Sequence, residues 1–213
     1  MKLYAETMRL YAVTDRSWLN GRTLFDQVEE ALKGGVTLVQ LREKNMDESS
    51  FLEEASHMAR LCHSYGVPLL INDNVYVAMK SGADGVHIGQ DDMQAEAVRR
   101  LLGKDMIIGV TAKTVEQALR AQDAGADYLG SGAVFGSFTK ANAKPMRMET
   151  LASIVQAVSI PVVAIGGINR DNILRLRGTG ICGAAIVSGI FAAKDIEAEC
   201  RLLRELTETV VQV

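Results

Sequence analysis

Five times along this chain a segment of helical period stops at a glycine and passes within three residues into a short apolar run. The junctions are Gly35-Val-Thr-Leu38, Gly66-Val-Pro-Leu69, Gly82-Ala-Asp-Gly85, Gly125-Ala-Asp-Tyr128 and Gly180-Ile-Cys-Gly183. Glycine stops a helix well because it enters the left-handed conformation without a Cβ clash. Eight apolar runs result: Leu10–Asp15, Leu38–Glu43, Leu69–Asn72, Gly85–Ile88, Ile107–Val110, Tyr128–Val134, Val162–Ile165 and Ala184–Val187. Between them lie amphipathic segments, such as the face formed by Phe51, Leu52, Ala55, Met58, Ala59 and Cys62 and that formed by Ile196, Cys200, Leu203, Leu206 and Val210. Asp47 is expected to cap the first of these, and Thr114 with Gln117 to form a capping box.

Eight strand units without an antiparallel hairpin predict an α/β fold, a single (β/α)8 TIM barrel spanning residues 1–213 as one domain. The alternative is an open doubly wound sheet, but no G-x-G-x-x-G follows the first strand. With 213 residues, 48% of them hydrophobic, the chain has material for a substantial core. A net charge of -3 without a polybasic run argues against nucleic acid as a partner. No stretch reaches membrane-spanning length and the first ten residues lack an apolar signal core, so a cytoplasmic location is expected. Cys62, Cys182 and Cys200 are spaced like reduced core residues rather than a disulfide framework.

In such a barrel the chemistry belongs at the C-terminal ends of the strands. Period-two alternation puts Gln40, Arg42 and Lys44 on one face of the second run, with Val39, Leu41 and Glu43 on the other. The third and fourth runs stop at carboxylates, Asp73 and Asp92. Two carboxylates beside two cations suit Mg²⁺ shared with a diphosphate, since this ion takes one or two protein carboxylates and completes its octahedron with phosphate oxygens and water. Either aspartate could instead be a helix cap, and Arg42 and Lys44 could pair with surface acids. His87, within the fourth run, reads as a hydrogen-bonded interior residue. The segment Gly136–Pro145, with hydroxyls and Lys140, suits a lid, or an ordinary surface loop. Ile165-Gly-Gly-Ile168 and Val187-Ser-Gly-Ile190 offer backbone N–H groups for a second phosphate, or simply tight turns.

These motifs, with Gln40-Leu-Arg-Glu-Lys44, Ile71-Asn-Asp73, Gly85-Val-His-Ile-Gly-Gln-Asp-Asp92, Ala126-Asp-Tyr-Leu-Gly130 and Phe135 through Lys140, resemble the thiamine-phosphate synthases over nearly the whole chain. The resemblance implies a (β/α)8 barrel, a transferase, that joins 4-amino-5-hydroxymethyl-2-methylpyrimidine diphosphate to a thiazole phosphate. It places the pyrimidine diphosphate on Gln40, Leu41, Arg42, Glu43, Lys44, Asn72, Thr111 and Lys140, and Mg²⁺ on Asp73 and Asp92. It places the thiazole phosphate on Ser137, Phe138, Thr139, Gly167, Val187 and Ser188. Arg42, Lys44 and Lys140 would then carry the catalysis by neutralising the departing diphosphate, and homo-oligomer formation stays open. Asn74, Tyr76, Lys113 and Gly136-Ser137 depart from the family pattern. Two alternatives share the barrel: a thiazole tautomerase, disfavoured by Lys113 in place of a histidine base, and a non-catalytic phosphate-ligand-binding barrel.

Overall fold

Every strand is four or five residues long, and along each the side chains alternate between two interiors. The computed structural model describes residues 4–136 and 145–212. The strands are β1 (Leu10–Val13), β2 (Leu38–Leu41), β3 (Leu69–Asn72), β4 (Gly85–Ile88), β5 (Ile107–Thr111), β6 (Tyr128–Gly132), β7 (Val162–Ile165) and β8 (Gly183–Ile186). All neighbours pair in parallel, and β8 returns to β1 through Leu10↔Ala184 and Tyr11↔Ala185, closing the barrel. The expected architecture is therefore observed.

One set of side chains, including Leu10, Val39, Leu41, Ile71, Val86 and Ile108, packs outward beneath the helices. The helices are α1 (Leu24–Lys33), α2 (Glu48–Ser64), α3 (Val75–Lys80), α4 (Ala95–Leu102), α5 (Val115–Asp123), α6 (Met148–Ala157), α7 (Ser188–Phe191) and α8 (Ile196–Val211). Between β7 and β8 the crossover is only a 3-10 turn, Ile173–Leu176. The other set, including Met8, Tyr11, Leu38, Leu70, Ile107, Tyr128 and Val163, fills the barrel. Toward the C-terminal rim the filling stops. Gly130 and Gly132 occupy inward positions of β6, in register with Val163 and Ile165, and leave space there.

The glycine junctions have a second function at the opposite rim. All five glycines adopt positive φ, from 69° at Gly66 to 93° at Gly35. In three of these junctions the residue two places after the glycine reaches back to the residue of the preceding strand that lies just before its pairing with the next strand begins. Thr37 Oγ1 accepts the Leu10 N–H at 3.0 Å, Asp84 accepts that of Leu69 at 2.8 Å, and Asp127 accepts that of Ile108 at 2.7 Å. In a fourth, the Cys182 thiol donates to the Val162 carbonyl at 3.3 Å. Those residues carry ladder groups with no strand partner on one side, and the echo in the sequence satisfies them.

Caps explain most helix starts. Asp47 accepts the Ser50 N–H, as expected. Thr114 accepts the Gln117 N–H, but the Gln117 side chain takes the Lys113 N–H rather than that of Thr114, so the reciprocal half of the expected box is displaced by one residue. A complete box forms instead at Thr23 and Asp26. The three thiols are free, and burial pushes each up to about 12.

Candidate active site

The hollow above Tyr11 opens at the C-terminal rim as a cavity of about 410 Å³. Gln40, Arg42, Lys44, Asn72, Asp73, Asp92, Thr111, Gly167, Val187 and Ser188 all line it, so one wall gathers candidate residues from β2 to β5 and the facing wall those from β7 and β8. Leu41 and Glu43 do not. Leu41 is fully buried under the helices, and Glu43 turns away to Arg16, whose Nε donates to its two oxygens at 2.8 and 2.9 Å. Arg16 also binds Glu54. Burial raises the Glu43 carboxyl above its ordinary range, against the opposing effect of Arg16, and Glu54 adds to the rise. This anchoring keeps the β2 alternation going past the end of the strand, so that Arg42 and Lys44 point inward. Ser137, Phe138, Thr139 and Lys140 lie outside the described residues, as does most of the segment read as a lid.

The two aspartates are not helix caps. Helix α3 is capped by Asn74, whose Oδ1 accepts the Val77 N–H at 2.9 Å, and α4 has Gln94 at its N-cap position with no side-chain cap. Asp73 has φ of 62°, a left-handed conformation rare outside glycine, and is held there by its N–H donating to the His87 carbonyl at 2.9 Å. Its carboxylate accepts from Lys44 Nζ at 2.5 Å and from Asn72 Nδ2 at 2.7 Å. Asp92 accepts the Gly89 N–H at 2.6 Å. Burial raises the Asp92 carboxyl, and the neighbouring Asp73 adds to the rise while Lys44 opposes it. Two close carboxylates with an adjoining amide form a hard-oxygen donor set. Among the described residues no group of three His, Cys, Asp or Glu side chains could hold a metal. The set thus fits Mg²⁺, which leaves several positions to water and phosphate, and does not fit an all-protein zinc cage.

Arg42 is steadied by Asp15, with Nη1 3.2 Å from Oδ2, and its backbone N–H donates to Thr14 Oγ1 at 2.9 Å. On the facing wall Gly166 and Gly167 have φ of 104° and 66°. A Cβ on Gly167 would lie 2.8 Å from the Phe135 carbonyl oxygen, so the turn admits only glycine. Asn172 fastens it by donating from Nδ2 to the Gly167 carbonyl at 2.8 Å. His87 is an interior residue, as expected, with Nδ1 2.8 Å from Tyr128 Oη and Nε2 3.0 Å from Thr111 Oγ1. Sequence reasoning missed Tyr11, Asp15 and Gln90 in the cavity wall and Tyr128 beneath it. The inward parity of Tyr11 and Tyr128, large polar-tipped residues in a barrel interior, was the available signal.

Residues 10–190 match the family described as thiamine monophosphate synthase. A thiamine-phosphate synthase of Ruminiclostridium cellulolyticum is 49% identical, covering 92% of this chain and 94% of the relative. One from Clostridium acetobutylicum is 46% identical, covering 94% and 95%. Among solved structures, a thiamine phosphate pyrophosphorylase from Pyrococcus furiosus superimposes with a TM-score of 0.89 at 37% identity, covering 97% of this chain and 98% of its own. The tautomerase and binding-barrel alternatives are not favoured by these matches. The chain belongs to the thiamine monophosphate synthase family, and its activity is that of a thiamine-phosphate synthase, a transferase of thiamine biosynthesis.

Proposed function

We propose that the cavity joins 4-amino-5-hydroxymethyl-2-methylpyrimidine diphosphate to a thiazole phosphate, with the diphosphate on the Arg42, Lys44, Asp73 and Asp92 wall and the thiazole phosphate on the Gly167, Val187 and Ser188 wall. The observation that carries this reading is the convergence of two cations and two carboxylates on one wall, neither carboxylate being used as a helix cap. A bound Mg²⁺ on Asp73 and Asp92 supplies positive charge to the diphosphate oxygens.

The protein side of the reaction is positioning and electrostatics. The bond from the pyrimidine methylene carbon to the diphosphate oxygen breaks and its electron pair leaves with the diphosphate. The thiazole nitrogen lone pair then forms the new carbon–nitrogen bond, and no proton or protein nucleophile is required. Arg42 offers a planar fork to two phosphate oxygens and is oriented for this by Asp15. Lys44 lies between Asp73 and the cavity, where its ammonium group can follow charge onto the leaving group. Lys140, outside the described residues, is assigned the same duty. Gln40, Asn72 and Thr111 orient the pyrimidine end, and Leu41 and Glu43 contribute through their backbone groups, because their side chains face away.

The test is product formation from the two substrates with and without Mg²⁺, with thiamine monophosphate separated from the mixture. Magnesium-dependent product is expected. Equal turnover in EDTA would remove the metal from the reading, and binding of both substrates without product would remove the reaction.

A further inference from the structure

Five polar side chains form a continuous chain of hydrogen bonds across the barrel floor. Gln40 Nε2 donates to Tyr11 Oη, Tyr11 Oη lies 2.9 Å from Tyr128 Oη, Tyr128 Oη lies 2.8 Å from His87 Nδ1, and His87 Nε2 lies 3.0 Å from Thr111 Oγ1. The two ends line the cavity on different strands, whereas Tyr128 in the middle is fully buried and is not part of the cavity wall.

The direction of this chain follows from counting protons. An amide nitrogen only donates, so Tyr11 accepts from Gln40 and its own proton goes to Tyr128. Burial raises both phenols above the ordinary range, so each retains its single proton. Tyr128 has already accepted from Tyr11, and its proton therefore goes to His87 Nδ1. That nitrogen must be bare, which leaves the proton of the neutral ring on Nε2, donated to Thr111. An imidazolium would turn Nδ1–H against Tyr128 and, link by link, set the Tyr11 proton against the Gln40 amide. Thr111, having accepted from His87, must send its own hydroxyl proton elsewhere, and it lines the cavity. A hydroxyl without this neighbour would rotate freely; here the His87 Nε2–H occupies one lone pair and turns the proton away from His87, toward the cavity.

We propose that His87 is a positioning residue that, held as the Nε2–H tautomer by Tyr128, fixes the Thr111 hydroxyl as a donor into the cavity, and that Gln40 sets this direction from across the barrel through Tyr11 and Tyr128. The inference rests on the reading of Thr111 as a contact to the pyrimidine diphosphate, where that donor would meet an acceptor atom of the substrate. It makes Gln40 and Thr111 one recognition unit: with its amide nitrogen committed to Tyr11, Gln40 presents its carbonyl oxygen, while Thr111 presents a proton.

Two measurements test it. The first uses nitrogen NMR of the substrate-free protein labelled in its three histidines, His87 being identified by the loss of its signals in His87→Gln. Protonated Nε2 and bare Nδ1 are expected; the opposite tautomer or an imidazolium at neutral pH overturns the proposal. The second is a cycle of Thr111→Val, Tyr128→Phe and the double variant. Thr111→Val should raise KM for the pyrimidine diphosphate about tenfold, the size of one lost hydrogen bond, and Tyr128→Phe about threefold. The double variant should be no worse than Thr111→Val alone, because a residue acting through Thr111 has nothing left to act on. Independent, multiplying effects would mean that Tyr128 is merely structural and would overturn the proposal. A wild-type KM in Thr111→Val would instead remove Thr111 from the substrate contacts, and with it the reading on which the proposal stands. Should Tyr128→Phe not fold, the tautomer measurement decides by itself.

Discussion

More of the local geometry converges on Asp73 than on any other residue of the wall proposed for the diphosphate. Its left-handed backbone turns the carboxylate toward Lys44 and frees Asn74 to cap α3. The two neighbours should therefore separate cleanly in mutagenesis. Asp73→Ala is expected to lower magnesium-dependent turnover about 10²- to 10³-fold while leaving the melting temperature nearly unchanged, whereas Asn74→Ala should cost about 1 kcal/mol of stability, the usual value of a lost cap, with its magnesium dependence intact. Steady-state rates across a magnesium titration, beside thermal melts, would decide; matched losses of stability in both variants would make Asp73 structural. Asp92 leads to a pH effect of definite sign. Its carboxyl is raised by burial and by Asp73, so the folded protein holds that proton more tightly than the unfolded chain does. The stability from this group is fully present below the ordinary aspartate value of about 4 and is lost as pH rises through the raised value. In EDTA at neutral pH, Asp92→Asn should accordingly melt above the parent, and a lower melting point would show that the charged form is the favoured one.

At the level of the strand and the junction that leads into it, the molecule separates folding from chemistry. The Gly-Ala-Asp echo before β4 and β6 ties down the N-terminal rim, where Asp127 accepts from the Ile108 N–H and pairs with Arg99 at 2.6 Å. Asp127→Ala leaves the Ile108 N–H without a partner and takes away the carboxylate that Arg99 pairs with, leaving Arg99 its carbonyls at Gly103, Met106 and Gly125. It should cost about 1–3 kcal/mol, read as a lowered denaturation midpoint with kcat and KM unaltered, and altered KM would mean that the two rims communicate. Those same junctions made the fold legible, because a glycine stop followed by an apolar run is a local signal repeated along the chain. The expected strands nevertheless ran past the observed ends at β1, β2, β6 and β8, to Asp15, Glu43, Val134 and Val187. At β1 and β2 the alternation persists beyond the ladder and brings Asp15, Arg42 and Lys44 to the cavity, whereas at β6 it fails, since Gly132 and Ala133 both line it. Alternation alone put Gln40, Arg42 and Lys44 on the correct face. It put Tyr128 inward but did not show what it does there, which depends on Tyr11 and His87 from two other strands. Likewise, nothing local distinguished Asp73 from a helix cap until Asn74 was seen to hold that position.

Over the whole molecule, a net charge of -3 means that no global field draws an anionic substrate in, so the affinity must be built within the cavity. There, among the described residues, the lining presents Arg42, Lys44 and Lys113 against Asp15, Asp73, Asp91 and Asp92, three positive and four negative groups, and is close to neutral. Diphosphate alone would meet cations that are already partnered, Lys44 by Asp73 and Arg42 by Asp15. Magnesium alone would meet the carboxylates, but with Lys44 competing for Asp73. On the proposed reading the two bind together: the carboxylates would hold the metal, Lys44 would turn from Asp73 to the phosphate oxygens, and each ligand would improve the site for the other. Inorganic diphosphate and Mg²⁺ should thus stabilise the protein cooperatively. At about one hundred times Kd the pair would contribute about 2.7 kcal/mol, or about 5–10 °C in melting temperature for a chain of this size, and either ligand alone much less. Lys44→Met should weaken this cooperativity while letting magnesium alone bind more tightly, since its competitor for Asp73 has gone. Melting curves with each ligand separately and then together provide the check. Shifts that simply add would mean that metal and diphosphate occupy separate places, and the convergence of charges at the barrel rim would then serve some purpose other than holding the two as one unit.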